Sequence, residues 1–238
     1  MGGLSVANED VIAWDGASFA MVMDGSDVGL AGLTLDAFAV LPANQLLLSF
    51  TSAASIPGIA GTVDDSDIVM FAASSLGANT SGAFSLHFDG SDVGLTTNAE
   101  DVDAIDMLAN GHLLLSTTGS VSVPGVSAAE QDVLEFTPSS LGAATTGTWA
   151  WYFDGSDVGL AASAEDVDAL AVRASGELRL STTGSFAVPG IAGANEDAFT
   201  FTPASLGATT AGSYSTTLAF DGSLFGLSAN DISGLDAP

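Results

Sequence analysis

Pairs of carboxylates, three residues apart, recur on a glycine-bearing turn of the chain. The phrase Phe-Asp-Gly-Ser-Asp-Val-Gly-Leu occupies residues 88–95 and recurs unchanged at 153–160. It stands with one change at 23–30 and with two changes at 220–227. Hard cations such as Ca²⁺ bind six to eight oxygens, which include backbone carbonyls of tight turns. The predicted calcium ligands are the carboxylates of the three better-kept copies: Asp24, Asp27, Asp89, Asp92, Asp154 and Asp157.

A second interpretation of these turns needs no ion. Asp and Ser side chains at turns hydrogen-bond to their own backbone. The phrase also lacks the ligand spacing and the distal glutamate of an EF-hand loop. The sequence leaves both interpretations open, and Ca²⁺ is the one cofactor that it suggests. More carboxylates follow about ten residues after the turns: Asp36, Glu100, Asp101, Asp103, Glu165, Asp166, Asp168 and Asp231.

Other side chains that could do chemistry are sparse and fall outside the repeat. His87 and His112 occupy positions that other copies fill with other residue types, and the chain has no cysteine. We expect them on strand surfaces rather than in a zinc site or a base–nucleophile pair. Trp149 and Trp151 share one side of a predicted strand, where they could stack on a sugar or pack in the core. Core packing is the prediction.

Composition excludes several classes of partner. The chain has 29 Asp and Glu residues against two basic residues, a net charge of −27. Nucleic acids and anionic lipid surfaces require a basic face, so neither is an expected partner. No apolar run approaches the ~18 residues that span a bilayer, so we expect no membrane insertion. Such an acidic surface could bind divalent cations. It could equally keep the protein soluble, because copies of the same charge repel each other and do not aggregate.

The period of the phrase predicts the architecture. Its four starts are 65, 65 and 67 residues apart, which is typical of a repeat protein. Each period holds short apolar runs bounded by Gly, Pro, Asn or Asp, which predict strands. We therefore predict one all-β repeat domain over 1–238, a β-propeller of about four blades with four antiparallel strands each. The predicted units are approximately 8–64, 65–129, 130–194 and 195–238.

The last unit matches only three of the four strands, which predicts an incomplete last blade. A β-sandwich or a β-solenoid array is the alternative architecture. An incomplete sheet leaves an edge that could accept a strand from another copy.

Four segments of the chain resemble a known repeat: Tyr152–Leu160, Glu165–Leu170, Leu180–Ser185 and Phe136–Gly142. The repeat is one of large bacterial exported proteins, a family without an assigned activity. The resemblance implies an extracellular or cell-surface, propeller-like module. It implies no catalytic residue.

The predicted function is that of a non-enzymatic, extracellular structural or adhesive repeat module. Ca²⁺ would stabilise it, the incomplete terminal sheet would let it self-associate, and a glycan or cell surface would be its partner. A lectin-like propeller is one alternative. A hydrolase with an acidic cleft is another, but catalysis usually uses one unique site, whereas these carboxylates recur in every unit.

Overall fold

The computed structural model describes residues 3–236, so the predicted domain limits at 1 and 238 lie outside the described residues. Within that range the chain is all-β, and its only helical segments are short 3₁₀ turns. The strands are β1 (Val11–Trp14), β2 (Phe19–Met23), β3 (Leu35–Leu41), β4 (Gln45–Phe50), β5 (Ile68–Ser75), β6 (Ser81–Phe88), β7 (Val102–Met107), β8 (Leu113–Thr117), β9 (Val121–Val123), β10 (Val126–Ala128), β11 (Val133–Ser140), β12 (Thr146–Phe153), β13 (Ala169–Val172), β14 (Leu178–Ser181), β15 (Phe186–Val188), β16 (Ile191–Gly193), β17 (Asp197–Ser205), β18 (Ala211–Tyr214) and β19 (Phe220–Asp221). No helix in this range is long and apolar enough to cross a membrane.

The strands form several small antiparallel sheets. The first sheet has the order β3-β4-β5-β6, the second β7-β8-β11-β12, and the third β13-β14-β17-β18, with β19 paired to the start of β17. Strands β1 and β2 form a separate N-terminal hairpin, and β9-β10 and β15-β16 are short hairpins. Each of the three larger sheets takes two strands from one repeat unit and two from the next.

Strand sequence explains strand position. In β3, Leu35, Ala37, Ala39 and Leu41 are buried and alternate with half-buried residues, as expected of a strand with one face on the core. Strand β4 carries a continuous run, Leu46-Leu47-Leu48, and all three side chains are fully buried. Such a run suits a strand that has neighbours on both edges and packing on both faces.

Successive sheets pack against each other through their first strands. Strand β3 lies against β7, and β7 lies against β13. One apolar cluster joins Leu47 of the first sheet to Ile105 and Leu115 of the second, and another joins Leu114 of the second to Leu170 of the third. The core therefore lies between sheets, which bury each other's apolar faces.

Candidate functional site

The acidic turns have one geometry in the three better-kept copies. Each contains a single 3₁₀ turn: Ser26–Val28, Ser91–Val93 and Ser156–Val158. A glycine follows in the left-handed region, with φ of 105° at Gly94 for example, which only glycine adopts without strain. The first aspartate of each turn accepts a hydrogen bond from the serine two residues later. The Ser91 hydroxyl donates to Asp89 Oδ1 at 2.7 Å.

The second aspartate of each turn bonds to the next sheet. The backbone N–H of Thr145 donates to Asp92 Oδ2 at 2.9 Å, and the Asp89 N–H donates to Thr145 Oγ1 at 2.9 Å. The threonine hydroxyl in turn donates to the Gly142 carbonyl at 2.7 Å. We call this reciprocal arrangement a threonine latch. The three latches are Asp24/Asp27 with Thr80, Asp89/Asp92 with Thr145, and Asp154/Asp157 with Thr210.

The structure thus places the predicted calcium ligands in contacts between sheets. Each pair stays in its own turn, where both aspartates already accept hydrogen bonds. Over residues 3–236, no group of three or more His, Cys, Asp or Glu side chains is arranged to hold a metal ion. Calcium binding at the turns stays a prediction.

The fourth copy of the turn has lost its latch. Leu224 stands where the other copies have the second aspartate, and its side chain is 74% exposed. An aromatic cluster takes the place of the latch. Trp14 of the N-terminal hairpin lies 5.1 Å from Phe220 and 5.3 Å from Phe225, measured between ring centroids, and Phe19 lies 5.7 Å from Phe225.

A second acidic position clamps each turn to its own unit. Asp67 Oδ1 accepts the Gly90 N–H at 3.0 Å, and its Oδ2 accepts the Asp64 N–H at 2.9 Å. A Cβ atom on Gly90 would lie 2.4 Å from the Ser66 carbonyl oxygen, so the turn requires glycine there. The sequence carried a signal for this clamp, because an aspartate stands directly before, or at the first residue of, each of the strands β1, β5, β11 and β17. The same pair of bonds recurs at Asp10, Asp132 and Asp197.

The first strands of the sheets bring together the acidic residues that follow the turns. One equivalent backbone bond fixes their register: Leu35 N–H to the Asn8 carbonyl, Val102 to Asp65, Val167 to Glu130, and Ile232 to Asn195. The residue before that amide is Asp101, Asp166 or Asp231, and the residue after it is Asp36, Asp103 or Asp168. In the remaining two places stand hydroxyl residues, Thr34 and Ser233.

These carboxyl groups meet in pairs across the junctions between sheets. The carboxyl group after the amide in one unit contacts the carboxyl group before the amide in the next unit. We call these contacts the carboxyl pairs: Asp36 with Asp101, Asp103 with Asp166, and Asp168 with Asp231. The sequence predicted their acidity but not this pairing.

The carboxyl pairs are short of donors, and four of their six side chains are buried, whereas Asp36 is half-buried and Asp231 is exposed. Asp103 is 2% exposed and Asp168 is 4% exposed, and neither oxygen of either side chain accepts an N–H or O–H bond. One oxygen each of Asp36, Asp101 and Asp166 also lacks a donor. Burying a polar atom without a hydrogen-bond partner lowers the stability of the folded state, and such atoms are rare in proteins.

Burial raises the pKa of every member of the carboxyl pairs. Burial and the neighbouring Asp36 raise the pKa of Asp101 to about 8, and burial raises the pKa of Asp36 to about 6. Burial together with Glu130 raises the pKa of Asp166 to about 7. Burial likewise raises the pKa values of Asp103 and Asp168 well above the ordinary value, and it raises that of Asp231.

The histidines do not form a catalytic arrangement in the described residues. His112 Nδ1 lies 2.5 Å from Glu135 Oε1 and 3.2 Å from Thr137 Oγ1. Both partners contact the same ring nitrogen, whereas a triad uses opposite nitrogens for the nucleophile and the carboxylate. His87 is half-buried, and burial lowers its pKa.

Trp149 packs in the core between the first and second sheets. Its ring lies 4.8 Å from that of Phe136 and 6.2 Å from that of Phe88, measured between centroids. Its indole N–H donates to the Val93 carbonyl at 3.0 Å. Trp151 packs against the same cluster. The core interpretation of these tryptophans is confirmed.

A polar cavity of about 350 Å³ lies beside the junction of the first and second sheets. Its walls include Thr51, Asp64, Asp65, Thr97 and Asn98. No aromatic ring lines it, so it lacks the stacking surface on which sugars commonly bind.

Comparison with known proteins does not assign the chain to a family. No protein-family model matches the chain, and no curated protein matches it. The resemblance to exported bacterial repeats stays a prediction.

Proposed function

We propose that the protein is a non-enzymatic structural repeat module, a four-bladed propeller that works outside the cell as an adhesive or assembling subunit. The observation that carries this proposal is the position of the two chain ends, which both contact the first and the third sheets. The resemblance to exported repeats supports the location. The repetition of the carboxylates at successive junctions, rather than at one unique site, supports a structural role.

The N-terminal hairpin contacts both flanking sheets. On one side, its turn forms the threonine latch to Thr80 of the first sheet, and the Val22 carbonyl accepts the Gly77 N–H at 2.7 Å. On the other side, Trp14 and Phe19 pack on Phe220 beside the third sheet.

The terminal segment, residues 231–236, contacts the same two sheets. Asp231 pairs with Asp168 at the third sheet. A Cβ atom on Gly234 would lie 2.4 Å from the Phe38 ring of the first sheet, so backbone and ring are in close contact. In the proposed ring, the hairpin and the terminal segment together form the fourth blade. A linear β-solenoid would hold the first and third sheets apart, so it would form neither the contact of Trp14 with Phe220 nor that of Gly234 with Phe38.

The distance between the chain ends tests the closed arrangement. The chain has no cysteine, so spin labels can be placed at Ala17→Cys and Leu224→Cys, both at exposed positions. A closed ring predicts a short distance between the labels, because the neighbouring residues Trp14 and Phe225 are in contact. A long distance, as in an extended array, would refute closure. A second labelled pair, at Ala17 and Gly111 on separate sheets, gives a distance with which the distance between labels 17 and 224 is compared.

The proposed route to assembly is the open edge of β1. Strands β5, β11 and β17 occupy the equivalent place in the three larger sheets, and each has a strand on both sides. In the described part of the chain, β1 pairs only with β2. The three strands that lie beside β5, β11 and β17 share the pattern Leu-x-Leu-Ser: β4, β8 and β14.

We infer that the β1 edge accepts an added strand of this pattern, exchanged between copies. A peptide with the sequence of residues 111–119 is the direct probe. Binding measured by calorimetry, together with dissociation of any oligomer in excess peptide, is the expected result. The control peptide carries aspartate at Leu113 and Leu115. A chain that stays monomeric at every concentration and ignores the peptide would rule out assembly through this edge.

A further inference from the structure

We propose that each carboxyl pair holds a shared proton, so that the junctions between sheets are proton-binding sites that weaken as the pH rises. The inference is independent of the proposed function, because it concerns contacts within one chain. Its basis is the geometry of the three pairs, the shortage of donors around them and the charges that face them.

Two carboxylates in contact cannot both stay ionised in a buried site. When two carboxyl groups share one site, the charge of one strongly raises the pKa of the other, and the pair then titrates as a unit. Asp103 and Asp168 set the strongest constraint, because both are almost fully buried and neither oxygen accepts an N–H or O–H bond. A proton between two carboxyl oxygens supplies the missing donor and removes one charge.

No cation takes the place of that proton in the described chain. The two arginines lie elsewhere, and Arg173 pairs with Glu177 at 3.3 Å. Among residues 3–236, no group of three carboxylates is arranged for a metal ion. The groups that face the pairs from neighbouring elements are acidic or neutral: Asp64, Asp65, Glu130, Asn195 and Glu196, besides members of the other pairs.

Each carboxyl pair titrates as a unit, and its pKa values are raised above the ordinary value of an aspartate. Burial and Asp36 raise the pKa of Asp101 to about 8, against about 6 for Asp36. Near neutral pH this pair therefore keeps one proton. At the other junctions burial raises the pKa of Asp103 and of Asp168 well above the ordinary value, so we expect one bound proton in each of those pairs as well.

The junction between the terminal segment and the first sheet differs. Thr34 and Ser233 stand at the two positions that carboxyl groups occupy elsewhere. Hydroxyl groups stay neutral across the pH range of proteins, so this junction binds no proton. Rising pH should loosen the three carboxyl junctions and leave the fourth one intact.

The direction of the pH effect follows from linkage. A carboxyl group whose pKa is raised by folding binds more protons in the folded state than in the unfolded state. Its contribution to the free energy of unfolding is complete below the pKa of the unfolded state, about 4. That contribution is lost as the pH rises through the pKa of the folded state. For the pair of Asp36 and Asp101 this window runs from about pH 4 to about pH 8, and for the other two pairs the contribution is likewise lost as the pH rises.

Urea unfolding between pH 5 and pH 9, in high salt to screen surface repulsion, tests the proposal. Within the window, the unfolding constant should rise up to about tenfold per pH unit for each proton held. The double variant Asp103→Asn, Asp166→Asn replaces one pair by neutral side chains of the same size. It should show a shallower slope and should exceed the wild-type protein in stability at pH 9. Asp92→Asn, outside the pairs, is the matched control and should keep the wild-type slope.

Infrared spectroscopy of the wild-type protein gives a readout that needs no variant to fold. A protonated-carboxyl stretch at pH 7.5 is expected, and it should weaken in the double variant. Absence of that band, or a stability that is flat or rises between pH 5 and pH 8, would overturn the proposal. A flat profile that millimolar Ca²⁺ lifts and a chelator lowers would assign the pairs to a cation instead.

Discussion

Replacing Thr145 by valine removes one hydroxyl from a threonine latch and leaves the shape of the side chain nearly unchanged. Thr145 is 1% exposed, so water cannot replace the lost group. The hydroxyl accepts the Asp89 N–H at 2.9 Å and donates to the Gly142 carbonyl at 2.7 Å. The backbone bond from Thr145 N–H to Asp92 does not involve the side chain and survives the change.

The magnitude follows from those two bonds. A buried donor left without an acceptor costs about 1–3 kcal/mol, and a lost neutral hydrogen bond about 1 kcal/mol. We therefore expect the free energy of unfolding to fall by roughly 2–4 kcal/mol, since the isosteric change opens no cavity. Urea unfolding followed by tryptophan fluorescence measures it, because Trp149 lies in the core beside this junction.

Two further variants decide whether the latch is the cause. Thr145→Ser keeps the hydroxyl and should recover most of the loss. Thr148→Val changes an exposed threonine of the same hairpin and should cost little. A loss below about 0.5 kcal/mol for Thr145→Val, within the range of an ordinary surface substitution, would refute the latch as a stabilising contact.

Three more predictions follow from the turns and the chain ends. Gly90→Ala places a Cβ atom 2.4 Å from the Ser66 carbonyl oxygen, so its stability loss by urea unfolding should exceed that of Gly111→Ala, where the left-handed backbone alone costs about 1–2 kcal/mol. Trp14→Ala removes two aromatic contacts worth about 0.5–1.5 kcal/mol each and should lower the melting temperature, whereas Leu224→Ala should not. Calcium bound at the acidic turns should raise the melting temperature in calorimetry; equal values in millimolar Ca²⁺ and in chelator would reject the calcium prediction.

Strands could be predicted from sequence because their signals are local. The run Leu46-Leu47-Leu48 and the alternation from Leu35 to Leu41 are each contained in a few residues, and the structure confirms them as strands. The predicted all-β class, which rests on the same local signals, is also confirmed. Trp149 was predictable as a core residue because its strand alternates large and small side chains.

Contacts between units could not be predicted in the same way. Asp92 and Thr145 are 53 residues apart, and nothing in either local sequence specifies the other. The acidic turn carries the same residue types whether it binds an ion, its own backbone or the next sheet. The pairing of Asp103 with Asp166 likewise depends on how two first strands lie side by side, which the periodicity of one strand does not determine.

Each large sheet straddles a boundary between repeat units, and this has a consequence for how the chain can be cut or lengthened. A cut between residues 129 and 130 separates β7 and β8 from β11 and β12, so it leaves two half-sheets with bare edges. Insertion of one whole 65-residue period at the same place would instead add a complete sheet with a matching latch at each side. Because every large sheet is shared by two units, a single unit cut from the chain would carry two half-sheets and no complete large sheet.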